Sequence, residues 1–142
     1  MKDLEAVQKI RGAEAALGIR FCTTSEYTLS LPDSVSQFGM TGQFLFCFAD
    51  GYQQTVFIWD SKTGIIKPVA YDFSEFLRLI FACGSGLDLA RIAMHYTNEY
   101  GAADNSSALK KIQEILALTP IQNPGGYINT VGQVIDGSRL NA

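Results

Sequence analysis

Hydrophobic and polar positions are patterned most clearly between Gly42 and Cys83, where they predict a β-meander closed by a helix. Every position in residues 44–49 is apolar. A strand that is apolar on both faces is typical of the centre of a sheet covered above and below. The next two residues, Asp50 and Gly51, favour a two-residue hairpin, because a type I′ turn needs positive φ at both central positions.

Alternation and turns mark the second and third strands of the predicted meander. Val56 and Ile58 alternate with their neighbours in a strand that we place at residues 52–59. A turn at residues 61–64 then leads into a third strand at residues 65–70. Pro68 lacks a backbone N–H, so this third strand is expected at a sheet edge or with a bulge.

Helical periodicity predicts a helix after Asp72 and another at the amino terminus. Asp72 is a good N-cap, and Glu75 three residues later completes a capping-box pattern. The apolar positions of this helix follow i, i+3, i+4 and i+7 spacing: Phe73, Phe76, Leu77 and Ile80. Residues 2–17 also carry one apolar stripe, and Gly18 stands where a left-handed C-terminal cap would lie.

Three more helices are predicted towards the carboxyl terminus, at about residues 87–96, 107–118 and 124–137. The inward positions of the second are expected to be Leu109, Ile112, Ile115 and Leu116. Asn123 and Pro124 have the character of an N-cap and first residue for the third. Its apolar stripe is Tyr127, Ile128, Val131, Val134 and Ile135. Residues 101–106 are expected to form a polar loop, and the tail at 138–142 to fray.

Residues 19–40 have the weakest pattern, and we expect one or two edge strands there, followed by a turn at residues 34–38. Together these elements predict a single α+β domain over residues 1–142. Its mostly antiparallel sheet, a meander, is expected to pack with an N-terminal helix and several C-terminal helices. Residues 84–137 would form a helical C-terminal extension.

Composition narrows the classes of partner. Hydrophobic residues make up 47% of the chain and charged residues 18%, with a net charge of -3, as in ordinary globular proteins. No basic cluster is longer than Lys110-Lys111, so we expect no nucleic-acid partner, which would need a concentrated cationic face. The first residues lack the apolar run of a signal peptide, and no apolar stretch approaches membrane-spanning length. We therefore expect a cytoplasmic protein without a membrane partner; its oligomeric state stays open.

No catalytic motif was found in the sequence. The single histidine, His95, rules out a multi-histidine metal site and is expected on a solvated helix face. The carboxylates Asp50, Asp60 and Asp72 occupy turn or cap positions, which explains them without catalysis. The cysteines form no CxxC pair and are expected to be reduced: Cys22, Cys47 and Cys83. We therefore expect no catalytic residue, no metal site and no cofactor.

The order of the elements over residues 4–83 resembles the SUKH domain family. Residues 10–20, with their Leu17-Gly18-Ile19 step, are similar to the family's first helix. The better match is Phe48-Ala-Asp-Gly-Tyr52, Val56-Phe-Ile-Trp-Asp60 and Pro68-Val-Ala-Tyr-Asp-Phe-Ser-Glu-Phe-Leu77. These segments are similar to the family's strand pair, third strand and Phe-x-x-Phe-Leu helix. The chain differs in lacking the family's Leu-Pro-x-x-Tyr-x-x-Phe-Leu helix, since residues 21–31 are expected to be extended.

This resemblance implies a binding module without enzymatic activity. Many bacterial SUKH members are thought to be immunity proteins that neutralise toxins, so the expected partner is another protein, such as a toxin domain. Tyrosine and tryptophan beside carboxylates suit such an interface, and the predicted partner-binding residues are Asp50, Tyr52, Trp59 and Asp60. Two alternatives stay open. One is a small-molecule-binding or catalytic domain with a pocket between the sheet and the C-terminal helices; the other is a structural or oligomerisation module.

Overall fold

A computed structural model describes residues 2–97, 106–137 and 140 of the chain. Within them the strands are β1 (Arg20–Phe21), β2 (Val35–Thr41), β3 (Phe44–Ala49), β4 (Val56–Asp60) and β5 (Ile66–Ala70). The helices are α1 (Lys2–Gln8), α2 (Ala13–Leu17), α3 (Phe73–Cys83), α4 (Gly86–Ala93), α5 (Ser106–Leu116) and α6 (Pro124–Val134). A short 3₁₀ turn, Thr28–Ser30, lies between β1 and β2. This arrangement confirms the predicted α+β class.

The sheet is an antiparallel meander in which the strands lie in their order along the chain, from β1 to β5. β3 is the middle strand, as its two apolar faces predicted, and five of its six residues are buried. β5 is an edge strand, and its pairing with β4 shifts register between Val56 and Phe57. Both expectations drawn from Pro68, an edge and an irregular register, are therefore confirmed.

The sheet is covered on both faces, but by different kinds of structure. The first face packs on the helices, and its core includes Phe46, Ile58, Phe76, Leu77 and Leu89. The second face carries Leu45, Cys47, Phe57, Trp59 and Ile66. Side chains from irregular segments pack over this second face: Tyr27, Leu31, Tyr52, Ile135 and Leu140.

Aromatic packing holds α3 against the first face. Phe76 is fully buried, and its ring centroid lies 5.1 Å from that of Phe46 on β3. Each fully buried phenylalanine contributes about 1.5–3 kcal/mol relative to an exposed one. The helix begins as predicted, with Asp72 accepting a hydrogen bond from the Glu75 backbone N–H at 2.8 Å. The Glu75 carboxylate forms an ion pair with Arg78 one turn along.

The amino-terminal helix is not the continuous helix predicted for residues 2–17. It divides into α1 and α2 because Gly12 adopts a left-handed conformation with φ of 78°, which interrupts helical hydrogen bonding. Gly18 ends α2 in the same conformation, as expected, and donates its backbone N–H to the Glu14 carbonyl. The break lets Val7 and Leu17 both reach the core.

The predicted turn at residues 34–38 is also wrong, because β2 begins at Val35. Its pairing with β3 shifts register between Gln37 and Gly39, which leaves Phe38 as an extra residue. Such a bulge moves side chains from one face to the other and breaks the two-residue period. Val35 and Met40 consequently both pack on the second face although they are five residues apart, and Phe38 joins the first-face core.

The link between β3 and β4 is longer than the predicted two-residue hairpin, so β4 starts at Val56 and not at residue 52. Gly51 has positive φ but Asp50 does not, which excludes a type I′ turn at this pair. The Tyr52 backbone N–H instead donates to the Ala49 carbonyl at 3.2 Å, and Gln53 adopts a second positive φ. Six residues, 50–55, make the connection.

The carboxyl-terminal helices are present with changed bounds. Asn123 caps α6 as predicted, accepting a hydrogen bond from the Gly126 N–H at 3.1 Å. Two residues expected to face inward, Ile115 and Val134, are 64% and 66% exposed. In the predicted loop and tail, residues 101–105, 138, 139, 141 and 142 lie outside the described residues, whereas Leu140 is half-buried. No helix in the described part of the chain is long and apolar enough to cross a bilayer.

Candidate functional site

The four predicted partner-binding residues fall at opposite ends of the sheet. Asp50 and Tyr52 follow the end of β3, whereas Trp59 and Asp60 lie at the far end of β4. A five-residue strand spans roughly 15 Å at about 3.3 Å per residue. The four side chains therefore do not form one continuous surface, although they lie within eleven positions of the sequence.

Asp60 is a buried carboxylate that the fold uses to fix one end of the sheet. It is 1% exposed. Its Oδ2 accepts a hydrogen bond from the Tyr96 hydroxyl at 2.5 Å. Its Oδ1 accepts one from Gln43 Nε2 at 2.8 Å and one from the Lys62 backbone N–H at 3.0 Å. One side chain thus joins β4, the β2–β3 turn, the β4–β5 turn and the chain just after α4.

The charge on Asp60 is stabilised by these donors. Burial by itself raises the pKa of a carboxyl, but hydrogen bonds from Tyr96, the Lys62 backbone, Gln43 and Thr63 outweigh it and lower the pKa of Asp60. The Tyr96 pKa is raised, first of all by its hydrogen bond to Asp60. The phenol therefore stays protonated and the carboxylate stays charged, an arrangement suited to structure and not to proton transfer at neutral pH.

Trp59 belongs to the second-face core. It is 5% exposed, and its ring centroid lies 6.3 Å from that of Tyr27 in the segment that covers this face. On the strand it pairs with Leu45 and Ile66, which are also buried. A partner could reach the indole only after the covering segment had moved, so Trp59 supports the surface above it without forming part of that surface.

Tyr52 and Asp50 are the members of the predicted site that reach the surface. Tyr52 is half-buried: its hydroxyl donates to the Asp136 carbonyl at 2.7 Å, and its ring meets Phe57 edge-on at 5.1 Å. Asp50 is exposed, while its backbone N–H donates to the Ser34 carbonyl at 2.8 Å. This bond brings the 32–34 segment and the 50–55 loop together at the same end of the sheet.

Exposed carboxylates occur in the segment between β1 and β2 and in the 50–55 loop, and no basic residue lies in either stretch of sequence. No lysine or arginine lies between Arg20 and Lys62, whereas four acidic residues do. Of these, Glu26, Asp33 and Asp50 are exposed. Leu29, in the covering segment between β1 and β2, is 100% exposed. We refer to Glu26, Leu29, Asp33 and Asp50 as the acidic surface. The long interval without a basic residue was visible in the sequence and could have identified it.

Residues with possible covalent or metal chemistry lie in unsuitable surroundings. Burial raises the pKa of both Cys47 and Cys83 to about 12, so neither thiol is activated as a nucleophile. Cys22 is half-buried and accepts a hydrogen bond from Gln37. Across residues 2–97, 106–137 and 140, no three or more His, Cys, Asp or Glu side chains are grouped as metal ligands.

A cleft of about 770 Å³ lies between β5, the end of α4 and α6. It is separate from the residues predicted from sequence, since none of Asp50, Tyr52, Trp59 and Asp60 lines it. His95, just beyond α4, does line it, with its backbone at a φ of 63°. The sequence offers a pocket in this region only as an alternative, because its lining comes from three elements far apart along the chain.

Comparisons with protein-family models, with curated proteins and with solved structures found no match to this chain. The SUKH resemblance therefore stays a prediction from the sequence, and function has to be inferred from the chain's own surface.

Proposed function

We propose that this chain is a non-catalytic, cytoplasmic protein-binding domain that neutralises a basic partner, as bacterial SUKH-type immunity proteins are thought to do. The observation that supports this proposal best is the acidic surface. It combines three exposed carboxylates with an exposed leucine and has no basic residue in the sequence interval that forms it. A toxin that cleaves nucleic acid needs a cationic active site, which such a surface would complement.

Fixed backbone supports the acidic surface. Gln37, which is 5% exposed, accepts hydrogen bonds from the hydroxyls of Ser25 and Thr28 on the covering segment. The Asp50 N–H bond to Ser34 fixes the other part of the surface. A surface that is already ordered loses little conformational entropy when it binds, so more of the contact energy appears as affinity.

The proposed mechanism is stoichiometric occlusion. The carboxylates of Glu26, Asp33 and Asp50 would steer the acidic surface onto cationic side chains, and their long-range attraction would raise the association rate at low salt. Leu29 would supply the apolar contact that excludes water at the centre of the interface. In the described part of the chain the three carboxylates form no ion pair with a basic side chain, so binding does not have to break one.

The test uses the protein encoded by the neighbouring gene, which this proposal expects to carry a toxin domain. Isothermal titration would compare the natural chain with the triple variant E26Q/D33N/D50N and with Leu29→Ala. We expect each to weaken binding at least tenfold, and the triple variant to reduce the salt dependence of the association rate. Co-expression of toxin and variant would measure the loss of protection as slower cell growth.

The matched control is E5Q/E114Q, which removes two exposed carboxylates from α1 and α5. It should leave affinity within about twofold of the natural chain, because its charges lie outside the acidic surface. Equal weakening by the control would mean that only net charge matters. Unchanged affinity in the triple variant would mean that the partner binds another surface. A neighbouring product that does not bind, or that is a metabolic enzyme, would contradict the immunity function.

A further inference from the structure

The cleft beside β5 has an apolar wall and a polar margin. Pro68 on β5, Ile92 on α4 and Ile128 on α6 contribute apolar side chains. Lys67 and His95 contribute nitrogen groups to the same cleft. Its volume, about 770 Å³, lies within the range of sites that hold small organic molecules, about 300–1,000 Å³.

One face of α6 keeps this cleft open. Four of its residues line the cleft at i, i+3, i+4 and i+7 spacing, which places them on one side of the helix: Gly125, Ile128, Asn129 and Gly132. A Cβ built on Gly132 would meet no atom within 4 Å, and its φ is not positive. Neither packing nor backbone conformation thus requires glycine there, although glycine weakens a helix relative to alanine. Its structural effect is to leave the cleft unfilled.

Lys67 gives the cleft a positive charge. It is half-buried between Ile66 and Pro68 on the edge strand. In the described part of the chain, neither the Lys67 ammonium nor the His95 imidazole forms a hydrogen bond or ion pair. A cation beside apolar walls interacts with an anion more strongly than a fully solvated one does. Asp136 also lines the cleft, and its negative charge opposes an anionic ligand, so a ligand with two anionic groups would be disfavoured more than a monoanion.

We propose that this cleft binds a small organic monoanion with an apolar body, such as an aromatic or short-chain carboxylate. The apolar body would pack against Pro68, Ile92 and Ile128. The anionic group would accept hydrogen bonds from Lys67, with His95 and the Asn129 amide as further donors. This site is separate from the acidic surface, so it does not depend on the protein-binding function.

The probe is 8-anilinonaphthalene-1-sulfonate, an aromatic body with one negative charge, titrated into the natively folded full chain while its fluorescence is recorded. We expect saturable binding of one probe per chain. The uncharged analogue N-phenyl-1-naphthylamine should bind at least tenfold more weakly. Equal affinity for both probes would overturn the selectivity for an anion, and absence of saturable binding would overturn the site.

Two substitutions test the location of the bound probe. Gly132→Leu fills the cleft from α6 and should weaken binding of both probes at least tenfold. Lys67→Met removes the cation and should weaken binding of the sulfonate alone. The matched controls are Thr130→Leu on an exposed side of α6 and Lys62→Met in an exposed turn, which should bind as the natural chain does.

Circular dichroism and the urea midpoint would establish that each variant is folded. Gly132→Ala provides a milder second variant, because it narrows the cleft by one methyl group at a position where nothing obstructs it. Should Gly132→Leu and Lys67→Met both bind the sulfonate with natural affinity, the probe would lie elsewhere and the proposal would be wrong.

Discussion

Asp60 was predicted as a partner-binding residue, but in the fold it is buried and holds several segments together by hydrogen bonds. In sequence it ends a strand beside a tryptophan and precedes a turn, as an exposed carboxylate would. In the fold the Tyr96 hydroxyl and the Gln43 amide converge on it from positions 36 and 17 residues away. Its turn contact, the hydrogen bond from the Lys62 backbone N–H, could be predicted from the neighbouring sequence. The distant donors that bury it could not be inferred from periodicity.

Replacement of Asp60 by asparagine should destabilise the protein at neutral pH and not in acid. The amide accepts fewer of the three hydrogen bonds and has no charge, so the free energy of unfolding at pH 7 should fall by about 1–3 kcal/mol. Because the folded-state pKa of Asp60 is lowered, its stabilisation is present above the unfolded pKa, about 3.9. It disappears as pH falls through the folded pKa. Urea unfolding between pH 3 and pH 7 measures both effects.

Two further substitutions are compared with Asp60→Asn: Tyr96→Phe removes one of its hydrogen-bond donors, and Asp33→Asn removes a carboxylate charge elsewhere. Tyr96→Phe removes one donor and should cost less than Asp60→Asn, with the same sign of pH dependence. Asp33→Asn changes an exposed carboxylate with no described hydrogen bond and should leave the unfolding free energy within about 0.5 kcal/mol. A loss for Asp60→Asn that stayed constant down to pH 3 would show that the charged carboxylate is not what stabilises the fold.

At the scale of elements, the strands and helices predicted correctly are those in which the apolar periodicity continues without interruption. β3 was predicted with its observed bounds because all six residues are apolar, and α3 because its cap and stripe agree. β2 was missed because the bulge at Phe38 shifts the alternation by one residue halfway along the strand. The amino-terminal helix was over-extended because the sequence does not show that Gly12, a weak helix former, adopts a left-handed conformation.

The four predicted partner-binding residues lie apart in the fold for a related reason. Tyr52 and Trp59 lie close in sequence, but an antiparallel strand separates them by its full length. Proximity along the chain is a poor guide to a surface on a meander. Charge composition over a longer interval adds a different signal, because residues 21–61 contain four acidic residues and no lysine or arginine.

Alanine at two helical glycines, Gly86 in α4 and Gly132 in α6, should change the unfolding free energy in opposite directions. A Cβ on Gly86, in the first turn of α4, would lie 2.5 Å from Ile19 Cγ1 and 3.2 Å from the Gly18 carbonyl oxygen. Ile19 is buried, so Gly86→Ala must displace α4 or the chain leading into β1. We expect it to lower the free energy of unfolding by about 1–3 kcal/mol.

Gly132→Ala is the matched change in α6, where the added methyl meets nothing. It should raise the unfolding free energy by up to about 1 kcal/mol, because alanine is the better helix former. Chemical denaturation of both variants in the absence of ligand provides the measurement. If Gly86→Ala were as stable as the natural chain, the close approach of α4 to Ile19 would not constrain the fold.

At the scale of the whole molecule, the sheet divides the core into two layers of unequal construction. Helices cover the first face, and the side chains Tyr27, Leu31, Ile135 and Leu140 from irregular segments cover the second. Irregular cover is the part of a structure that commonly opens first. The same cover also supports the acidic surface. Opening it would therefore expose the second-face core and disrupt the proposed binding surface.

The buried cysteines test whether the two layers open together, because Cys47 lies in the second-face core and Cys83 in the first. Thiolates are the reactive species, and burial raises the pKa of both to about 12, so neither should react in the folded state. N-ethylmaleimide labelling of the natural chain, mapped by mass spectrometry, should modify half-buried Cys22 first. Cys47 and Cys83 should follow at one common slow rate set by global unfolding, and urea should accelerate both equally. Much faster labelling of Cys47 than of Cys83 would show instead that the irregular cover opens alone. In that case the acidic surface would be dynamic, and the entropic advantage argued for a preordered interface would be lost.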